Sequence, residues 1–341
     1  MTDSKKENKI LLAHGGGGRL TSHLIEKTIL PAFSNDTLDK LTDAASLDLT
    51  SASVCMTTDS YVVKPLFFNG GDIGKLAVCG TVNDLAVAGA TPVALSLSLI
   101  IEEGFDIDTL EKILASAGAT AKQAGIDIVT GDTKVVEKGA ADGLFINTAG
   151  LGTRHENADI DFDRVTKTDK IIINGTLGDH GMTIISQREG IKFDSPLQSD
   201  CAVLSGLIAD VLNSGANVKF MRDPTRGGVA AVLNEIAAAS GFTIELDEPS
   251  LPIDETVRAA ADMLGFDLLD IANEGKVVFV VDEKDAGKVV DICKNHELGK
   301  KAAIIGEVLD KEESPVVELK TKIGGRRIVQ MPYGRDLPRI C

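Results

Sequence analysis

The chain has 341 residues, 43% of them apolar, and carries 51 acidic against 35 basic side chains, for a formal net charge of −16. That balance disfavours nucleic acid, since no basic stripe can displace counterions from phosphates, and no run approaches the roughly 20 apolar residues of a membrane span. The cysteines (Cys55, Cys79, Cys201, Cys293 and Cys341) are odd in number and lack a CxxC pair, which argues against a disulfide framework or zinc knuckle and predicts reduced thiols.

The N-terminal MTDSKKENK has no apolar signal-peptide stretch, so a cytoplasmic protein is expected. The length predicts two domains. The apolar run KILLA reads as a strand; it breaks at Gly15, Gly16, Gly17 and Gly18, after which Leu20, Leu24, Ile25 and Thr28 follow helical spacing towards Pro31. Beyond the polar stretch 32–52, a strand over 54–58 ends at Thr58-Asp59-Ser60.

From Gly74 to Gly89 the positions Val78, Val82, Leu85 and Gly89 mark a helix with a buried face, which carries Asn83 and Asp84. Val93, Leu95, Leu97, Leu99 and Ile101 alternate as a half-buried strand. A helix follows from about Asp108, with Asp108 and Glu111 as a capping box, to Gly125. A strand over 126–130 runs into Gly131-Asp132-Thr133-Lys134, with 144–151 as its expected hairpin partner.

The polar stretch 152–169 separates the two halves, with the boundary placed near residue 165. The second half alternates strands (170–174, 218–221, 242–246, 276–281, 302–308) with helices around Met182, Val203, Val229, Val257 and Val289, an α/β pattern. This divides the chain into a glycine-rich segment and helix (1–40), two α/β domains (41–165 and 166–330) and a proline-containing tail (331–341) that ends on Cys341. The ten residues from Pro332 to Cys341 span about 30 Å when extended, enough to carry a thiol between an internal site and a partner.

Asp59, Asp84, Asp132 and Asp223 each lie in a glycine- or threonine-rich junction next to an apolar element, where carboxylates can converge on a hard cation such as Mg²⁺. Taken singly, each reads equally as a turn former or helix cap. Gly15 to Gly18, and Gly227-Gly228 after Asp223-Pro224-Thr225-Arg226, could bring backbone N–H groups to a phosphate. No P-loop or GxGxxG pattern is present.

TTDSYVVKP (57–65), GGDIGKLAVCGTVNDLAVAGATP (70–92), TGDTKVV (130–136), DPTRGG (223–228) and the closing PRIC resemble the HypE family over nearly the whole chain. The resemblance implies a hydrogenase maturation factor with the two-domain AIR synthetase-like (PurM-like) fold, mixed sheets and an extended tail. It further implies a homodimer through the N-terminal domain, with ATP between the domains. A carbamoyltransferase partner would load Cys341, ATP-dependent dehydration would give a thiocyanate, and an iron-carrying scaffold complex would receive the cyano group.

By the same resemblance Asp59, Asp84, Asp132 and Asp223 hold Mg²⁺; Gly15, Gly16, Gly17, Gly18, Asn83, Thr133, Arg226, Gly227 and Gly228 contact ATP; and Lys134 and Glu274 act with Cys341. Glu274, expected to be ionised at neutral pH, is favoured as the base, and Lys134 as the group that orients or stabilises charge. Two other readings stand beside this one. One is a superfamily phosphotransferase of the selenophosphate synthetase or thiamine-monophosphate kinase type; the other is a non-catalytic thiol carrier or scaffold.

Overall fold

The computed structural model describes residues 9–15, 19–40, 47, 49, 53–191, 193 and 197–332, with only the backbone of Gly15, Arg19, Ser22 and Lys40. Two sheets organise it, one of four strands and one of seven. The expected first strand is replaced by a single bridge from Lys9 to Asp106 and a short 3-10 turn, Leu12–Gly15, because a lone apolar run has no neighbouring strand to continue a ladder. Helical backbone then runs through α1 (Arg19–Leu24), a π segment (Ile25–Ile29) and α2 (Leu30–Phe33). Pro31 does not stop it, since it falls in the first turn of α2, where its missing N–H costs little.

In the first half, β1 (Val54–Tyr61) is followed by the short pair β2 (Phe67–Phe68) and β3 (Gly71–Asp72), then by helix α3 (Ile73–Val87). Strand β4 (Ala90–Glu102), helix α4 (Ile107–Ala124) and strands β5 (Asp127–Val136) and β6 (Leu144–Arg154) complete it. Asp106, not Asp108, caps α4, its carboxylate accepting the Thr109 N–H at 3.0 Å; Gly125 ends the helix in the left-handed region, as expected. The strand order is β1-β6-β4-β5. The expected β5–β6 hairpin is absent: β6 pairs antiparallel with β1 and β4, and β5 lies parallel to β4 at the edge, with α4 as the crossover.

Helix α3 is buried on nearly every side, 13 of its 15 residues included, so it is the shared interior helix of the molecule. Its glycines permit that contact: a Cβ at Gly74 would lie 2.3 Å from the Ile113 carbonyl of α4, and one at Gly80 2.2 Å from the Tyr61 hydroxyl of β1.

The second half runs β7 (Lys170–Ile173), α5 (Asp179–Arg188), α6 (Ser205–Asn213), β8 (Val218–Arg222), α7 (Gly228–Ser240) and β9 (Phe242–Asp247). Helix α8 (Glu255–Leu264), β10 (Val278–Val281), α9 (Ala286–Asn295) and β11 (Ala303–Lys311) follow. Two strands with no sequence expectation, β12 (Val317–Lys320) and β13 (Arg326–Val329), extend the sheet, whose order is β13-β12-β9-β11-β7-β10-β8. One apolar cluster joins the halves, running from α3 and α4 through Met182 and Ile184 of α5 to Val257 and Ala260 of α8. Among the described residues no helix is long and apolar enough to cross a membrane.

Candidate functional site

Three expected metal ligands meet where the two halves join. Asp59 does not end a strand; it lies inside β1, alternating with Thr57 and Tyr61 on the face towards α3. Asp84, in the last turn of α3, accepts a 2.8 Å hydrogen bond from the Thr57 hydroxyl. Asp223 follows β8 directly, where Pro224 prevents the ladder from continuing.

Burial, opposed by the Thr57 bond and reinforced by Asp59, raises the proton affinity of Asp84. Burial, with Asp84 and Asp59 adding to it, pushes Asp223 up to about 7. These oxygen donors suit a hard cation, and the mutual repulsion that raises Asp223 is what bound Mg²⁺ would relieve. Among the described residues no three His, Cys, Asp or Glu side chains form a group that could hold a metal ion.

Glu274 stands on the loop between α8 and β10, 3% exposed, and its Oε1 is buried without a hydrogen-bond partner. Burial, then Asp223, Asp200 and Asp59, raise its proton affinity well above the ordinary carboxylate range. Burial and these three carboxylates all favour the protonated form, against the expectation of an ionised Glu274.

Asn83, expected at the nucleotide, is 1% exposed and spans the two halves. Its Nδ2 donates to the carbonyls of Ala202 (3.0 Å) and Glu274 (3.3 Å), and its Oδ1 accepts the Leu204 N–H (2.8 Å). Both amide hydrogens are engaged, so Asn83 clamps the junction.

Asp132, Thr133 and Lys134 are elsewhere, inside the edge strand β5 and not in a junction. Lys134 Nζ lies 2.9 Å from Asp132, both exposed, and this hydrogen bond holds the Asp132 carboxyl below its usual range. All three line a cavity of about 310 Å³ walled by Ile25, Ile29 and Phe33 of the N-terminal helical stretch and by Leu97 and Leu99. Gly15 closes the turn before that stretch; Gly16, Gly17, Gly18 and Cys341 lie outside the described residues.

Gly227 and Gly228 have φ of +81° and +61° at the head of α7, with the exposed Arg226 just before them. A Cβ at Gly228 would lie 2.4 Å from the Leu269 carbonyl, so close packing as well as backbone conformation demands glycine there. A Cβ at Gly227 would lie 3.7 Å from the ring of Pro332, which places the root of the C-terminal tail four residues from Asp223.

Three participants escaped the sequence reading. Arg222, paired with Glu235 at 2.9 Å, lowers the proton affinity of Asp84 and Asp223. Asp200 and Lys276 form a buried pair at 2.8 Å beneath Glu274. Arg222 adjoins DPTRGG and Lys276 adjoins Glu274, so adjacency was their one signal; Asp200 had none.

Family models for AIR synthase related protein match the N-terminal domain over 41–154 and the C-terminal domain over 167–318. A carbamoyl dehydratase HypE of Rhizobium leguminosarum bv. viciae is 48% identical, over 98% of this chain and 95% of its own. A hydrogenase maturation protein HypE in complex with ATP superposes with a TM-score of 0.93 at 44% identity, over 97% of this chain and 99% of that one. A HypE chain solved as a HypE–HypF complex superposes with a TM-score of 0.80 at 50% identity, over 91% of this chain and 99% of that one.

Proposed function

This chain belongs to the HypE family of AIR synthase related proteins, and on that premise we propose that it is a carbamoyl dehydratase of hydrogenase maturation acting on the sulfur of its own Cys341. The substrate is the S-carbamoyl group, R–S–CO–NH₂, and the product the thiocyanate, R–S–CN, whose cyano group then passes to iron on a scaffold complex.

The observation that carries this reading is the root of the tail. The ring of Pro332 lies near Gly227, 3.7 Å from where a Cβ there would sit and four residues from Asp223, and the nine residues beyond it can span about 30 Å. A loaded sulfur can therefore return to the junction of the two halves within its own chain.

The carbamoyl oxygen attacks the γ-phosphorus of ATP, ADP leaves, and one N–H proton is lost. The second N–H proton then goes to a base as the C–O bond breaks, so the oxygen leaves with phosphate. Mg²⁺, when bound, supplies positive charge to the transferring phosphoryl group. Asp59, Asp84 and Asp223 would hold it, with Asp132 from a second copy. The glycines at 15–18 and 227–228, with Thr133 and Arg226, would face the nucleotide.

Glu274 is the base of this scheme. Its orphan Oε1 is an unfilled acceptor; burial favours its protonated form first, and neutralising the charges of Asp223 and Asp59 would shift it towards the carboxylate that a base requires. Lys134, paired with Asp132 on an edge strand, would orient charge from the second copy.

The homodimer is supported by the face of the first sheet turned away from α3. Val54, Met56 and Ile100 lie on it, 47%, 76% and 42% exposed, with Met56 paired to Leu151. A carbamoyltransferase is the proposed loading partner, in line with the HypE–HypF complex of the relative.

Intact mass measurement tests the reading. Incubation with the carbamoyl donor system should add one carbamoyl group, and ATP should then remove one water; Cys341→Ala should show neither change. Dehydration in the alanine variant would refute it.

A further inference from the structure

We infer that Asp200 and Lys276 are positioning residues for Glu274: the buried Asp200 carboxylate fixes the backbone on both sides of the Glu274 side chain, and Lys276 fixes Asp200. This rests on the reading of Glu274 as the base.

Asp200 Oδ1 accepts the N–H of Glu274 at 3.2 Å, and Oδ2 accepts the N–H of Gly275 at 3.1 Å and Nζ of Lys276 at 2.8 Å. The pair is sealed, with the Lys276 and Asp200 side chains 8% and 4% exposed, and Asp179 approaches Nζ at 3.5 Å. Such a pair does not stabilise by attraction alone, because desolvation of both charges offsets much of the gain. Its value lies in what it holds.

Other backbone polar groups of the loop are also committed. The Glu274 carbonyl accepts from Asn83 and the Gly275 carbonyl from Asn174 (3.3 Å). Asn273 donates its N–H and Nδ2 to the Pro224 carbonyl, tying the loop to the residue after Asp223. A Cβ at Gly275 would lie 1.9 Å from the Asp200 carbonyl, so the loop sits against the Asp200 backbone as closely as glycine permits.

Against this fixed backbone, Oε1 of Glu274 is the buried polar atom left over. An acceptor without a partner on a loop whose Asn273, Glu274 and Gly275 N–H groups are engaged is pre-organised for a group that arrives from outside, here the nitrogen of the carbamoylated tail. A shift of about 1 Å in such a group can cost on the order of 100-fold in rate.

The test is single-turnover dehydration of the preloaded full chain, reading the rate constant apart from the amplitude, since misfolded molecules lower only the amplitude. Asp200→Asn should lower the rate constant roughly 100-fold at unchanged amplitude, with the ATP concentration for half-maximal rate unchanged. Lys276→Met, which leaves both N–H bonds in place, should lower it about 10-fold and carries the test if Asp200→Asn does not fold.

In a Glu274→Gln background neither change should slow the reaction further, because both act through the missing carboxylate. A native rate constant in both variants, or a full additional loss in the Gln background, overturns the inference. A native rate in Glu274→Gln alone overturns the base assignment instead, so the two failures are distinguishable.

Discussion

Asp59 and Asp132 lie on opposite faces of the same sheet, three strands apart. Asp59 pairs with Thr148, Thr148 with Leu97 and Leu97 with Gly131, so Asp132, one residue further, points to the other side with Ser98, Asn147 and Ser60. One chain cannot bring both carboxylates to one ion. If both serve it, a second copy must supply one of them.

Subunit mixing checks this. Asp59→Asn and Asp132→Asn should each be inactive alone. After the two are unfolded and refolded together, half the dimers carry one variant of each kind, and each of these has one intact site, for about one quarter of native activity. No recovery would place both ligands in the same chain or remove one from the site.

The stability of the metal-free protein should fall as pH rises from about 4 to above 7. Asp223 has its folded proton affinity raised to about 7 and Asp270, by burial and Asp267, to about 6, both above the ordinary value of 3.8. The folded state therefore binds more protons than the unfolded one, and the stabilisation present below pH 4 is lost as pH passes these values. For Asp223 the span is at most roughly 4 kcal/mol, or about 5 to 10 °C in midpoint. Mg²⁺ should restore stability above pH 7, and Asp223→Asn should remove that response while Asp270→Asn keeps it, as read by thermal melts. A native Mg²⁺ response in Asp223→Asn would exclude it as a ligand.

Asn83→Ala should cost stability and leave nucleotide affinity alone. It removes three hydrogen bonds and strands the Leu204 N–H and the Glu274 carbonyl in the interior, for about 2 to 4 kcal/mol. Calorimetry of ATP binding at a temperature where the variant is folded should give an affinity within about threefold of native. A loss of 100-fold would return Asn83 to the nucleotide, where the sequence reading put it.

That contrast shows what the sequence could and could not carry. Periodicity placed α3 and the residues on it, because Val78, Val82 and Leu85 repeat at helical steps. It could not distinguish a ligand from a clamp, since Asn83 and Asp84 are neighbours and the difference is whether Ala202 and Leu204, some 120 positions later, reach the amide. Motif likeness named Glu274 but not its raised proton affinity, which follows from its burial and from Asp223, Asp200 and Asp59 converging on it. The β5–β6 hairpin was misread because adjacency favours antiparallel pairing, and only the α4 crossover shows that β5 runs parallel to β4.

The tail should act in its own chain, and the rate of dehydration should show it. With nine residues beyond Pro332, the sulfur samples a small volume around Gly227, so its effective concentration near Glu274 is on the order of millimolar. The single-turnover rate constant of preloaded protein should then be unchanged by tenfold dilution. Insertion of six Gly/Ser residues after Pro332 should lower it only about twofold, as the −3/2 power of the length ratio. Preloaded tail peptide added to Cys341→Ala protein should react with a rate proportional to peptide concentration, matching the intact chain only near millimolar peptide. Were the intact chain to slow on dilution, the loaded sulfur would be reaching the site from another molecule, and the position of Pro332 on Gly227 would have no catalytic meaning.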